Sequence, residues 1–152
     1  MTKELFTGLM NEVVDVIGSR AVDADLGKYL NQALPPDGEA FRRIEEICHA
    51  GVQAGWLCKH EAGGIRYGRV LRPDAVQGFS VDVVRMDELR GPHHKHPKGE
   101  IDMVMPIDGA ACFDGHGRGW CVYPPHSAHH PTVTGGAALV LYLLPDGEIE
   151  FT

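Results

Sequence analysis

No stretch of the 152-residue chain reaches the roughly 18 uninterrupted apolar residues that a membrane-spanning helix needs. Positive charge is scarce: 14 Lys and Arg against 21 Asp and Glu leave a formal net charge of −7, which argues against DNA, RNA or an anionic membrane surface as the main partner. Cysteine is sparse as well. Cys48, Cys58, Cys112 and Cys121 are scattered and contain no CxxC pair, so neither a disulfide framework nor a thiolate zinc site is expected. Lys3, Glu4, Glu12 and Asp15 interrupt the apolar residues near the N-terminus, which therefore lacks the h-region of a secretion signal; a cytoplasmic protein is expected. A glycine-rich dinucleotide fingerprint is missing too. What remains is an ordinary globular composition, 43% hydrophobic and 23% charged, sufficient for one domain with a real core.

Histidine is the anomaly. Of nine in the chain, seven (His93, His94, His96, His116, His126, His129 and His130) fall between positions 93 and 130. The segments around them differ in texture. Leu9, Val13, Val16 and Ile17 recur at helical spacing, with Thr2 as a candidate N-cap and Gly18-Ser19 as a stop. A second helix is expected over about 23–34, ended by Pro35-Pro36, and a third after Asp37-Gly38, with Phe41, Ile44, Cys48 and Val52 on one face. Beyond Trp56, Gly and Pro punctuate short β-branched and aromatic segments; strands are expected over 65–71, 79–86, 100–106, 119–123 and 138–144. The reading is a mainly β fold, α+β overall: a helical N-terminal region over 1–60 packed on a small β-barrel over 61–152.

The run Gly91-Pro92-His93-His94-Lys95-His96-Pro97-Lys98-Gly99-Glu100 carries the chemistry. In an extended chain His94 and His96 point the same way and Lys95 the opposite way. Gly99 permits a turn that returns the Glu100 carboxylate beside the two imidazoles. Two imidazoles and a carboxylate suit Fe, Mn, Ni, Co or Zn, and the histidine cluster 126–130 could add a third nitrogen. His93 faces away from this side, and His116, between glycines, reads as a turn residue.

His94-x-His96-x-x-x-Glu100 resembles the first motif of the cupin superfamily, and Pro124-Pro125-His126-Ser127-Ala128-His129 resembles the second. The resemblance implies a jelly-roll barrel with a divalent metal ion held by His94, His96, Glu100 and either His129 or His130. Pro124-Pro125 at the usual distance favours His129. His126 occupies the place of a turn glycine, and the glycine after Glu100 is delayed to Gly109. Gly63-Gly64-Ile65-Arg66-Tyr67-Gly68-Arg69-Val70, Gly78-Phe79-Ser80-Val81-Asp82-Val83-Val84, Gly99-Glu100-Ile101-Asp102 and Pro131-Thr132-Val133 extend the likeness over nearly the whole chain. Together they resemble the 4-hydroxylaminobenzoate lyase family of bacterial nitroaromatic degradation.

That resemblance implies conversion of 4-hydroxylaminobenzoate and water to 3,4-dihydroxybenzoate and ammonia, with no outside electrons, and a homodimer paired through barrel sheets. Glu100 and Asp102, on one strand parity, are the catalytic candidates. Arg66, Arg69 and Arg85 are candidates for the substrate carboxylate. Tyr123, with Tyr67 and Trp120, is a candidate aromatic wall of the substrate site. The competing readings are a cupin dioxygenase or isomerase acting on a small aromatic or carboxylic acid, and a cupin that binds a small ligand without transforming it.

Overall fold

A computed structural model describes residues 2–152. Among them three helices precede ten strands: α1 (Lys3–Ile17), α2 (Ala24–Ala33), α3 (Glu39–Ala54), β1 (His60–Ala62), β2 (Ile65–Leu71), β3 (Phe79–Arg90), β4 (His94–His96), β5 (Glu100–Pro106), β6 (Cys112–Phe113), β7 (Gly119–Tyr123), β8 (Ser127–His129), β9 (Thr132–Pro145) and β10 (Glu150–Phe151). The helix boundaries follow local chemistry. The Thr2 hydroxyl accepts from Leu5 N–H at 3.2 Å and the Asp23 carboxylate from Leu26 N–H at 3.1 Å, each satisfying an amide that the first helical turn leaves unpaired. No helix among the described residues is long and apolar enough to cross a membrane.

The strands form two antiparallel sheets. The larger has the order β1-β2-β3-β9-β5-β7, with β6 also pairing with β9; the smaller has the order β10-β4-β8. This is the two-sheet cup expected from the cupin-like sequence pattern. Strands β3 and β9 are longer than the sequence indicated: β3 continues past Met86 to Arg90, and β9 begins at Thr132.

Both faces of the larger sheet are covered. Val81, Val83, Ile101, Met103, Leu141 and Leu143 pack against the helices in one core. Val84, Val104, Ala138, Val140, Tyr142 and Leu144 face the inside of the cup in a second core. Burial on the scale of these two cores dominates the stabilisation of a domain this size. Because β5 is buried on both faces, its side chains divide between helix side and cup side by parity alone, and Glu100 and Asp102 fall on the cup side.

Helix α2 closes the edge of the larger sheet. β7 pairs with β5 on one side only, and Asn31 of α2 bonds its other edge like a further strand. Asn31 Oδ1 accepts from Trp120 N–H and Asn31 Nδ2 donates to Trp120 O, both at 2.9 Å. The contact is close enough that a Cβ at Gly119 would lie 2.8 Å from Asn31 Oδ1. Trp120 itself turns to the helix side, where its indole N–H donates to Leu34 O at 3.0 Å and its ring meets Phe41 edge-on.

Asn31→Ala removes both bonds and leaves a shielded strand edge unsatisfied. The expected cost is about 2 kcal/mol, a fall of about 4–8 °C in Tm. A calorimetric shift below about 1 °C would show that this clasp is not structural.

Candidate metal centre

The second sheet aligns the histidines by register. In the β4–β8 pair, His94 stands opposite His129 and His96 opposite Ser127. Alternation along β4 sends His94 and His96 inward, 2% and 0% exposed, while Lys95 between them is half-buried. Gly99 then reverses the chain at φ +89°; a Cβ there would come within 2.7 Å of Val22 Cγ1 and 2.8 Å of Tyr123 O. Glu100 follows as the first residue of β5 and enters the cup from the opposite sheet. His126 takes φ +69° at the turn before β8, the conformation for which glycine is the usual choice, and its N–H donates to His96 O at 2.8 Å.

One donor atom from each of His94, His96, Glu100 and His129 lies within 4.8 Å of all the others. His94 Nε2 and His129 Nε2 are 3.1 Å apart. Glu100 Oε1 is 3.4 Å from His94 Nε2, and Glu100 Oε2 is 3.4 Å from both His96 Nε2 and His129 Nε2. Metal–ligand bonds of about 2.1 Å put neighbouring donor atoms about 3.0–3.4 Å apart, so the group is sized for one first-row divalent ion. Its polarity agrees. Both Glu100 oxygens and His96 Nε2 are buried with no hydrogen-bond partner, an arrangement that is costly unless a cation lies among them.

The outer nitrogens of two imidazoles are fixed by neighbours. Ser127 Oγ donates its proton to Pro124 O at 2.6 Å and therefore accepts from His96 Nδ1–H at 2.8 Å, which turns the His96 Nε2 lone pair inward. Asp114 does the same for His129. Its Oδ2 accepts from His129 Nδ1–H at 2.5 Å and from the Tyr123 hydroxyl at 2.6 Å, while Oδ1 accepts from Thr132 N–H at 2.8 Å. Burial holds His96 neutral, with a pKa near 4 despite the Glu100 charge. For His129 burial acts the same way but is outweighed by Asp114 and Glu100, which raise its pKa to about 9. Burial opposes ionisation of Glu100, yet the His129 and His94 imidazoles pull its carboxyl below the usual range. Asp102 is the reverse case: burial and the adjacent Glu100 charge push it well above the ordinary value.

The remaining sequence candidates separate. Asp102 is fully buried on the cup side of β5, with the Cys121 thiol donating to its Oδ2 at 3.9 Å. His130 turns away, contacting Gly91 O and the His93 ring. Tyr123 braces Asp114 and lies 4.5 Å from the His129 ring, centroid to centroid, rather than lining the cavity that opens between the two sheets beside His94. Arg66 and Arg85 are register partners across β2 and β3 on the helix side of the sheet, beside Cys58, and the structure does not bring them to the cavity. Arg69 does reach it, but its guanidinium is held by Asp82 at 2.8 Å and by Gly147 O at 3.1 Å. Asp114 and Ser127 were not singled out by sequence reasoning. Ser127 lies inside the second cupin-like segment, and Asp114 precedes glycine in a turn at φ +49°, a pattern that signals only a turn.

Comparison with known proteins bears directly on this chemistry. The family model for 4-hydroxylaminobenzoate lyase (PnbB) matches residues 8–151. The chain belongs to the 4-hydroxylaminobenzoate lyase family. Within that family it is 37% identical over 143 residues to a 4-hydroxylaminobenzoate lyase from Nocardioides sp. (strain LMS-CY), covering 88% of this chain and 85% of that one. It is 32% identical over 162 residues to the 4-hydroxylaminobenzoate lyase of Pseudomonas putida, covering 95% and 92%. Similar solved structures include an RmlC-like cupin from Shewanella frigidimarina NCIMB 400, with 17% identity, a TM-score of 0.42 and coverage of 59% of this chain and 83% of that one. Another is the polyketide cyclase RemF from Streptomyces resistomycificus, with 11% identity, a TM-score of 0.44 and coverage of 60% and 72%.

Asp114 supports this family member's histidine cluster from behind. Asp114→Asn keeps an acceptor for Thr132 N–H but removes the charge behind His129. Affinity for a divalent ion, measured by chelator competition, is expected to weaken about 10–100-fold. Unchanged affinity would mean that His129 needs no such support.

Proposed function

We propose that the protein is a metal-dependent lyase that converts 4-hydroxylaminobenzoate, or a closely related small aromatic acid, to 3,4-dihydroxybenzoate and ammonia. Family membership over residues 8–151 supplies the substrate class, and the convergence of His94, His96, Glu100 and His129 is the observation that carries the mechanism. These four residues would hold the ion. When bound, a divalent ion supplies Lewis acidity toward an oxygen substituent.

The chain's own residues account for the rest of the reaction. The N–O bond of the hydroxylamine must break heterolytically, and hydroxide leaves poorly unless its oxygen is protonated. Glu100 and Asp102, two residues apart on the same face of β5 and wholly shielded from solvent, are the acid–base pair in this reading. Asp102 holds a proton for the departing oxygen. Water then adds to the ring carbon beside nitrogen, and the resulting imine hydrolyses to the catechol and ammonia. Atoms balance as substrate plus one water, and the electrons stay within the molecule, nitrogen being reduced as the ring carbon is oxidised. Pairing of two copies through the barrel sheets, which the family resemblance implies, and a cytoplasmic location belong to the same reading.

A cupin dioxygenase would draw on the same ligands, and isotopes separate the two. Turnover in 18O-labelled water should place label at both hydroxyl positions of the product, read by mass spectrometry; label from O2 would overturn the lyase mechanism. Asp102→Asn is expected to lower kcat at least 100-fold with its metal content retained. A variant that keeps wild-type kcat would remove Asp102 from the reaction.

A further inference from the structure

A cavity of about 830 Å³ opens between the two sheets, with His94 in its lining. That volume is in the range of small-molecule sites. Its walls are mostly apolar, formed by Ile65, Val84, Met86, Tyr142 and Ile149. Among the described residues, four large hydrophobic side chains are markedly exposed, and two of them, Tyr67 at 41% and Phe151 at 68%, line this one cavity. Phe151 stands opposite His94 in the β10–β4 pair, its ring 5.9 Å from the imidazole. Aromatic surface left uncovered beside the donor cluster is what a planar ring would bury.

The charges in the lining are unequal. Asp82 and Arg69 neutralise each other, and the Gly147 carbonyl takes a further Arg69 N–H. Arg90, the last residue of β3, also lines the cavity; its side chain is exposed, and its guanidinium makes no hydrogen bond or ion pair with any other described residue. The backbone that carries it is fixed. Gly91 N–H donates to Pro131 O at 2.6 Å, and a Cβ at Gly91 would meet Pro131 Cγ at 3.0 Å. Arg90 is four residues before His94, so the two Cα atoms stand at most about 14 Å apart. The lining thus combines an exposed guanidinium with unused donors, an apolar, aromatic-rimmed wall and, through His94, one edge of the donor cluster, the three features that a para-substituted benzoate would engage.

The geometry points to Arg90 as the residue that binds the substrate carboxylate, with Tyr67 and Phe151 flanking the ring and the para substituent directed toward His94. This assignment rests on the lyase reading for its substrate and replaces Arg66, Arg69 and Arg85 in the carboxylate role. An arginine at such a position selects for the carboxylate through paired, charge-assisted hydrogen bonds, and a lysine reproduces only part of that.

The test compares wild type with Arg90→Ala and Arg90→Lys, each first checked for unchanged Tm and metal content. Calorimetric titration with 4-aminobenzoate, which has the carboxylate but no N–O bond to break, should show binding weakened about 10–100-fold in Arg90→Ala and less in Arg90→Lys. The kcat/KM for 4-hydroxylaminobenzoate should fall by a similar factor, mainly through KM. That for N-phenylhydroxylamine, which lacks the carboxylate, should stay within about twofold. Equal losses on both substrates, or unchanged 4-aminobenzoate binding, would overturn the assignment. So would a change of sedimentation coefficient in Arg90→Ala, which would mark the slot as a contact between two copies of the chain. If wild type fails to turn over 4-hydroxylaminobenzoate, the lyase reading falls, while 4-aminobenzoate binding still decides the role of Arg90.

Discussion

A carboxylate with no solvent and no hydrogen-bond donor is the constraint around which this molecule is arranged. Glu100 is fully buried, both of its oxygens lack a donor, and three imidazole nitrogens stand 3.4 Å away from them. In so dry a site a negative charge needs a positive neighbour, and a metal cation among the four groups would supply one at the centre of the cluster. The turns and pairings that assemble them are distributed over the fold. A glycine at φ +89° precedes Glu100, a histidine at φ +69° precedes β8, and the β4–β8 register sets His94 against His129. Ser127 and Asp114 then aim the imidazoles by holding their outer nitrogens.

The same sheet that delivers Glu100 explains why the helices matter to a site they do not touch. Strands β5 and β9 are sandwiched between helix-side and cup-side cores, so the position of the carboxylate depends on packing from both directions. Helix α2 also seals the free edge of β7, whose last residue, Tyr123, braces Asp114 and through it His129. A chain of ordinary contacts thus runs from the helical region to the donor cluster.

Much of this is legible in the sequence. HxHxxxE followed by a proline turn and a further histidine determines which side chains can meet, because alternation and the Gly99 turn are local properties. The three helices were readable from capping and periodicity. The arginines were not readable in the same way. Over 79–86 β3 is covered on both faces and shows no polar alternation, so nothing there distinguishes the helix side from the cup side; Arg85 falls on the helix side and takes its register partner Arg66 of β2 with it. Arg90 lay beyond the expected end of its strand. Asp114 reaches His129 across 15 residues of sequence through a hairpin whose folding back is a tertiary fact, and an Asp-Gly pair announces only the turn.

X-ray absorption at the metal edge of the purified protein addresses the donor cluster itself. One ion per chain, with three imidazoles and one carboxylate oxygen among its nearest scatterers, is the predicted result, reduced to two imidazoles in His129→Ala. A sulfur scatterer, or a spectrum unaltered by that substitution, would contradict the account.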